Sequence, residues 1–168
     1  MSVFDTIEKR YSVRCYENKE VEEEKLNKIL EAARLAPTAT NNQAFKIYVI
    51  DTKKHLNELD EVSNFPWLKE APLILVVVSV DNEAWTRKWD AKNHGEIDAT
   101  IIMDHIILEA TDLGLGTCFI AAFYPKALSK LLKLSEQEHP VLMTPIGYPN
   151  AEPRGTDRKS MDEIVKYV

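Results

Sequence analysis

The stretch Gly95-Glu96-Ile97-Asp98-Ala99-Thr100-Ile101-Ile102-Met103-Asp104-His105-Ile106-Ile107-Leu108-Glu109-Ala110-Thr111-Asp112-Leu113 decides the architecture. On a wheel of about 3.6 residues per turn its polar side chains fall into two stripes. One is Asp98, His105, Glu109 and Asp112; the other is Thr100, Asp104 and Thr111. Between them lie a wide apolar face (Ala99, Ile102, Met103, Ile106, Ile107, Ala110, Leu113) and a narrower one (Ile97, Ile101, Leu108). A helix with two apolar faces must bury both. A sheet covers one. The other needs a second helix of the same chain or a partner subunit. Gly114 and Gly116 stop the helix.

Working outward, Pro72 to Val80 is β-branched and apolar on both faces, the pattern of a central strand. Phe45 to Asp51 alternates, with Phe45, Ile47 and Val49 against Lys46 and Tyr48. Thr117 to Ala122 and Val141 to Tyr148 read as two further strands. Helices are predicted over 2–9 with Ser2 as N-cap, Val21 to Ala36, 53–62, and Pro125 to about Leu134. Pro66 to Lys69 is a turn, Pro149 to Asp157 a loop, and Met161 to Val168 a short tail. Residues 81–94, with Trp85 and Trp89, receive no assignment. Four strands interleaved with helices, without regular βα alternation, predict an α+β sandwich with a mixed sheet.

The 168 residues suit one domain, 1–168, with a sizeable core. The formal charge of −6 argues against nucleic acid or an anionic membrane as the main partner. An anionic ligand would need a local basic cluster. The two cysteines, Cys15 and Cys118, lack metal-type spacing, which fits a reducing, cytoplasmic setting. The N-terminus carries no apolar leader core, and the longest apolar run, Leu73 to Val78, falls far short of the ~20 residues of a membrane span.

The usual catalytic signatures are missing: no G-x-S-x-G, no P-loop, no G-x-G-x-x-G between strand and helix. Gly114-Leu115-Gly116 follows a helix and reads as its stop. His94, Glu96 and Asp98 straddle a helix start, where the acids serve the dipole, so no metal is assigned. Cys15 and Cys118 read as structural. Trp85 and Trp89 are spaced for packing or for a lid. No side chain is assigned a catalytic acid, base or nucleophile.

Four segments remain. In an extended chain Arg10, Ser12 and Arg14 project to one side. Alone they would be a solvated basic turn. Thr38 to Gln43 adds hydroxyls and carboxamides, Cys118 to Ala122 adds apolar contacts and close backbone approach, and Arg158-Lys159 adds a second basic pair with Arg154 nearby. Guanidinium forks suit phosphates and flat heteroatom edges. A flat ring carrying a polyol and a phosphate would use all four segments, which describes flavin mononucleotide (FMN).

These same segments resemble a known family. Lys9-Arg10-Tyr11-Ser12-Val13-Arg14 resembles the R-x-S-x-R element of the FMN-dependent nitroreductase superfamily. Ala36-Pro37-Thr38-Ala39-Thr40-Asn41-Asn42-Gln43-Ala44-Phe45 resembles its A-P-S-x-x-N-x-Q-P-W loop. Asp98 with the long helix, Gly114-Leu115-Gly116-Thr117-Cys118-Phe119-Ile120, Ile146-Gly147-Tyr148-Pro149 and Arg158-Lys159 resemble later segments. Ala44 and Phe45 stand where the family pattern has Pro and Trp, and Ala121-Ala122 where it has a glycine-containing pair. The region that often roofs the flavin is reduced to Trp85–Asn93.

The resemblance implies a sandwich with a central mixed, mainly antiparallel sheet flanked by helices, in an intertwined homodimer with two FMN sites at the interface. It implies a cofactor-binding set of Arg10, Tyr11, Ser12, Arg14, Pro37, Thr38, Ala39, Asn41, Gln43, Phe119, Ile120, Ala121, Ala122, Arg158 and Lys159. Arg10 with Arg158 or Lys159 would take the phosphate, and Arg14 the pyrimidine edge. Pro37, Thr38, Ala39 and Asn41 would come from the other subunit. A backbone N–H near Ala121 or Ala122 would face N5. The implied activity is ping-pong transfer of hydride from NAD(P)H to a nitroaromatic, quinone or flavin acceptor. Alternatives are a non-catalytic FMN-binding sensor or storage module and a dehalogenase-type or flavin-destructase relative.

Overall fold

The computed structural model describes residues 2–168. Its elements run α1 (Val3–Lys9), α2 (Glu23–Leu35), β1 (Phe45–Asp51), α3 (Leu56–Val62), β2 (Leu73–Val80), α4 (Gly95–Asp112), α5 (Pro125–Leu132), β3 (Glu138–Ile146) and α6 (Met161–Ile164). Ser2 caps α1 as read from the sequence. Its hydroxyl accepts the Asp5 N–H at 3.1 Å and the Asp5 carboxylate accepts the Ser2 N–H at 2.9 Å.

The sheet is antiparallel, in the order β1-β2-β3. Strand β2 is central and buried on both faces, and its side chains divide between two cores by simple alternation. Leu75 and Val77 pack with Ile29 and Ala33 of α2 and with Ala99, Ile102, Met103, Ile106 and Ala110 of α4. Ile74, Val76 and Val78 pack with Leu59 and Val62 of α3 and Leu128 of α5. Helices therefore cover both sides of the sheet, giving the α+β sandwich expected from the pattern.

The wide face of α4 is the one in the core. Its narrower face is only partly covered. Helix α1 lies against it, with the Thr6 hydroxyl donating to Asp112 at 3.3 Å. A cleft of about 400 Å³ nevertheless remains between α1, α2 and α4, lined by Val3, Ala32, His105 and Leu108 among others. Phe4 is 65% exposed and Ile7 50%. A helix of the same chain thus covers part of this face and leaves an apolar strip open.

The expected strand over Thr117–Ala122 is not formed. This segment makes only isolated bridges: Ser12 to Thr117 in parallel, and Gly116 to Gly147 and Ile120 to Met143 antiparallel. The ladder is interrupted because the Cys118 N–H donates to the Thr144 hydroxyl, at 3.1 Å, where a strand would use a backbone carbonyl. The parallel contact expected of a mixed sheet survives only in the Ser12–Thr117 bridge. Strand β3 starts at Glu138, three residues before the predicted Val141, and ends at Ile146, short of Tyr148. A register shift at Val77/Val78 accommodates the early start.

Residues 81–94 form a hairpin-like excursion closed by a Thr86–Asn93 bridge and an Arg87–Asp90 ion pair, with Ala91 in left-handed backbone (φ 55°). No helix among the described residues is long and apolar enough to cross a membrane.

Candidate functional site

Residues 10–14 leave α1 in extended conformation and run beside Gly116–Cys118. The Val13 N–H donates to the Thr117 carbonyl at 2.8 Å. Val13 points inward and is buried, which turns its neighbours Ser12 and Arg14 outward. Close approach is possible because residue 116 is glycine: a Cβ there would sit 2.7 Å from Val13 Cγ2.

Arg10, Tyr11, Ser12 and Arg14 then share a cavity of about 190 Å³ with Arg154, Thr156 and Arg158. Arg10 and Arg158 also border a larger adjoining space of about 740 Å³, with Phe4, Ile7, Asp104 and Leu108 on its walls. Tyr11 fastens the two segments together by donating its hydroxyl to the Ala151 carbonyl at 2.7 Å. Partial burial, with Glu152 nearby, raises its phenol pKa, so it remains a donor at neutral pH.

Four guanidinium groups converge here. Among the described residues, none forms an ion pair with a carboxylate. Arg14 makes one long contact, 3.5 Å, to the Ser12 carbonyl, and Arg158 donates to the adjacent Asp157 carbonyl at 3.1 Å. Elsewhere on the chain basic residues find acids readily, as Arg34 does with Glu31 and Lys46 with Glu138. In a chain of net charge −6, four convergent arginines with no carboxylate paired to them can hold an anion, although Glu8 and Asp104 line the larger adjoining space. Arg158 lines both cavities; Lys159 lines neither. Thr156 was missed by sequence reading, since a lone threonine in a polar loop carries no signal.

The 117–122 segment adjoins the 10–14 stretch at Thr117, through the Ser12–Thr117 bridge and the Val13 bond, and lines neither cavity. Cys118 is buried, and burial raises its thiol pKa, an effect only partly offset by nearby Arg14, Ser12 and Arg10. It is an inert packing residue, as expected, lying beneath the arginines. Phe119 is 46% exposed. Ile120 turns into the core, and its N–H and C=O both pair with Met143 at 3.0 Å, so it holds the segment in place and presents no side chain outward. Ala121 and Ala122 are exposed. Among the described residues their amides donate to nothing in the chain.

The Pro37–Gln43 loop lies elsewhere, against the N-terminal end of α4. Asp98, 3% exposed, accepts the Ala39 N–H on Oδ1 at 3.0 Å, while its Oδ2 is buried without a partner. The Thr38 hydroxyl accepts the Gln43 N–H at 3.0 Å, and Gln43 Nε2 donates to the Asn41 carbonyl at 3.3 Å. Thr40 (φ 52°), Asn41 (φ 57°) and Gln43 (φ 54°) all occupy left-handed backbone. Such a run is costly for non-glycine residues and persists only where bonds over-determine it. Asn42 donates to the Glu83 carbonyl at 3.0 Å, tying the loop to the 81–94 hairpin, on which Trp89 is 82% exposed. Trp85 is less free, its ring set edge-on to His94 at 4.7 Å.

The arginine cavities reach α4 at Asp104 and Leu108. The loop meets it at Asp98, about 9–15 Å away along the helix axis at ~1.5 Å per residue. No residue of 37–43 lines either arginine cavity. One chain therefore brings Arg10, Tyr11, Ser12, Arg14 and Arg158 together, with Thr117 and Cys118 beside them, and leaves Pro37, Thr38, Ala39, Asn41 and Gln43 apart.

The sequence matches the model of the nitroreductase family over residues 7–64 and 56–148. It is 29% identical over 171 residues to a putative NADH dehydrogenase/NAD(P)H nitroreductase of Methanothermobacter thermautotrophicus, with 98% of this chain and 86% of that protein covered. The fold superposes on a crystal structure of a nitroreductase family protein of Clostridium difficile 630 with a TM-score of 0.93 and 34% identity, covering 99% of this chain and 98% of the other. An FMN-dependent nitroreductase of Clostridium difficile R20291 superposes with a TM-score of 0.80 and 28% identity, covering 98% and 95%. The sequence match and the superposition agree, and the chain belongs to the nitroreductase family.

Proposed function

We propose that residues 1–168 form one FMN-binding domain that works, as a homodimer in the cytoplasm, as an NAD(P)H-dependent oxidoreductase. The observation that carries this reading is the set of four arginines without carboxylate partners around one small cavity. Arg10, Arg154 and Arg158 would hold the phosphate, and Arg14 the pyrimidine edge, where a cation favours the reduced cofactor. The exposed amides of Ala121 and Ala122 are free to donate toward N5. Pro37, Thr38, Ala39 and Asn41 of the second subunit would complete the site. Two features support that division: the loop's distance from the arginines within one chain, and the open apolar strip of Phe4 and Ile7 beside Arg10.

Bound FMN would supply the two-electron chemistry, taking hydride from NAD(P)H and passing it to a nitroaromatic, quinone or similar small acceptor. The chain itself need only bind, orient and polarise, which accounts for the lack of an acid–base dyad in the cavity. Donor and acceptor sharing one open site implies ping-pong kinetics.

The test is the absorption spectrum of the purified protein, reconstituted with FMN, followed by anaerobic titration with NADH and NADPH. A yellow dimer bleached by either nicotinamide is expected. A yellow protein that neither bleaches points to a binding module, and one that cannot take up FMN refutes the site.

A further inference from the structure

We propose that Trp67 is a positioning residue for Arg14: its indole is the platform that aims the guanidinium at the flavin's pyrimidine edge. The inference rests on the FMN reading above and adds a residue that no sequence motif pointed to. Phe65-Pro66-Trp67 enters a short 3₁₀ turn, Pro66–Glu70, with Pro66 at its first position. The turn places the indole, half-buried, between two groups of core residues. On one side are Val13, Tyr16 and Ala71; on the other is the cluster beneath the sheet that contains Cys118 and Ile120. The Phe65 ring stacks on it at 5.3 Å with an interplanar angle of 19°. The indole is thus fixed by packing before Arg14 meets it.

Arg14 is the opposite case. Its side chain is exposed, it has no acidic partner, and its one hydrogen bond is at the 3.5 Å limit. An arginine so placed has many rotamers open to it. The fixed contact it does have is the Trp67 ring, with the guanidinium carbon 5.9 Å from the centroid. Indole is the best of the aromatic faces for a cation, and a guanidinium also stacks on it flat. The ring therefore restricts the arginine without neutralising it. A carboxylate in the same place would hold the guanidinium equally well but would cancel the charge on which a role at the cofactor depends.

A double-mutant cycle on FMN affinity and flavin midpoint potential tests this. The variants are Trp67→Leu, Trp67→Phe, Arg14→Gln and the Trp67→Leu/Arg14→Gln pair. With Arg14 present, Trp67→Leu is expected to weaken FMN about 2- to 5-fold and to make the bound flavin harder to reduce. Trp67→Phe, which keeps a ring, should fall between wild type and Trp67→Leu. In the Arg14→Gln background Trp67→Leu should change neither quantity. Equal losses in both backgrounds would show that Trp67 acts through packing alone and overturn the proposal, as would a Trp67→Leu protein with wild-type affinity and potential. Wild-type protein that takes up no FMN would refute the site reading itself; FMN uptake with uncoupled losses refutes only the role of Trp67.

Discussion

Replacing Arg158 and Lys159 one at a time separates two basic neighbours that composition cannot tell apart. Arg158 lines both cavities beside Arg10, and Lys159 lines neither. A charge-assisted hydrogen bond contributes about 1.5–3 kcal/mol, so Arg158→Ala should raise the FMN dissociation constant about 10- to 150-fold. Without ligand the change should be small. Arg158 has no acidic partner to abandon, and its loss relieves repulsion among like charges, so the apo melting temperature should stay within about 2 °C.

Differential scanning fluorimetry reads both effects. At FMN about 100-fold above the wild-type dissociation constant, binding stabilises the native state by about 2.7 kcal/mol. For a domain of this size that is a rise of about 5–11 °C. The same FMN concentration should give Arg158→Ala about 0.3–1.4 kcal/mol, or about 1–6 °C. Arg158→Lys keeps the charge but loses the planar fork and should lie between. Lys159→Ala should retain the full wild-type shift. The assignment fails if Lys159→Ala loses as much of the shift as Arg158→Ala, or if Arg158→Ala loses none.

Two further outcomes follow from the packing. Gly116→Ala would force a Cβ to within 2.7 Å of Val13 Cγ2, and overpacking of this kind costs about 1–3 kcal/mol; apo protein should melt about 2–12 °C lower, and an unchanged melting temperature would show that the 13/116 contact yields without cost. Glu138, bound by Lys46 and by the Ser135 N–H, has its carboxyl pKa lowered from 4.5 to about 2. A lowered folded-state pKa stabilises the fold above the unfolded value, and that contribution is lost as pH falls. Urea midpoints should therefore drop between about pH 4.5 and 2 in wild type, and drop less steeply in Glu138→Gln; parallel curves would exclude the pair as a source of acid sensitivity.

Much of the frame is legible in the chain because burial leaves a periodic trace. Leu73–Val80 is apolar at every position except Ser79, and it is the strand buried on both faces. The long helix and its two apolar faces can be read from spacing alone, as can the Ser2 cap. Patterns of this kind depend on residues close in sequence. Thr117–Ala122 shows where that logic stops. Its apolar character signals burial for Cys118 and Ile120 but not for Phe119, Ala121 and Ala122, and the Cys118 N–H is taken by a hydroxyl at Thr144, 26 residues away.

The candidate site divides in the same way. Arg10, Ser12 and Arg14 are recognisable because extended backbone puts alternate residues on one side, a local rule. By itself the sequence determined the sandwich, its central strand, the basic triplet and the polar loop that together resemble the nitroreductases. Tertiary structure decided which basic residues face one another. It set Arg154 and Arg158 beside Arg10 and turned Lys159 away, placed the Pro37–Gln43 loop at the far end of α4, and set Trp67 under Arg14. These relations depend on the path of the backbone between segments, and an unpaired guanidinium is defined by which carboxylates come within reach of it in space, which no stretch of sequence records.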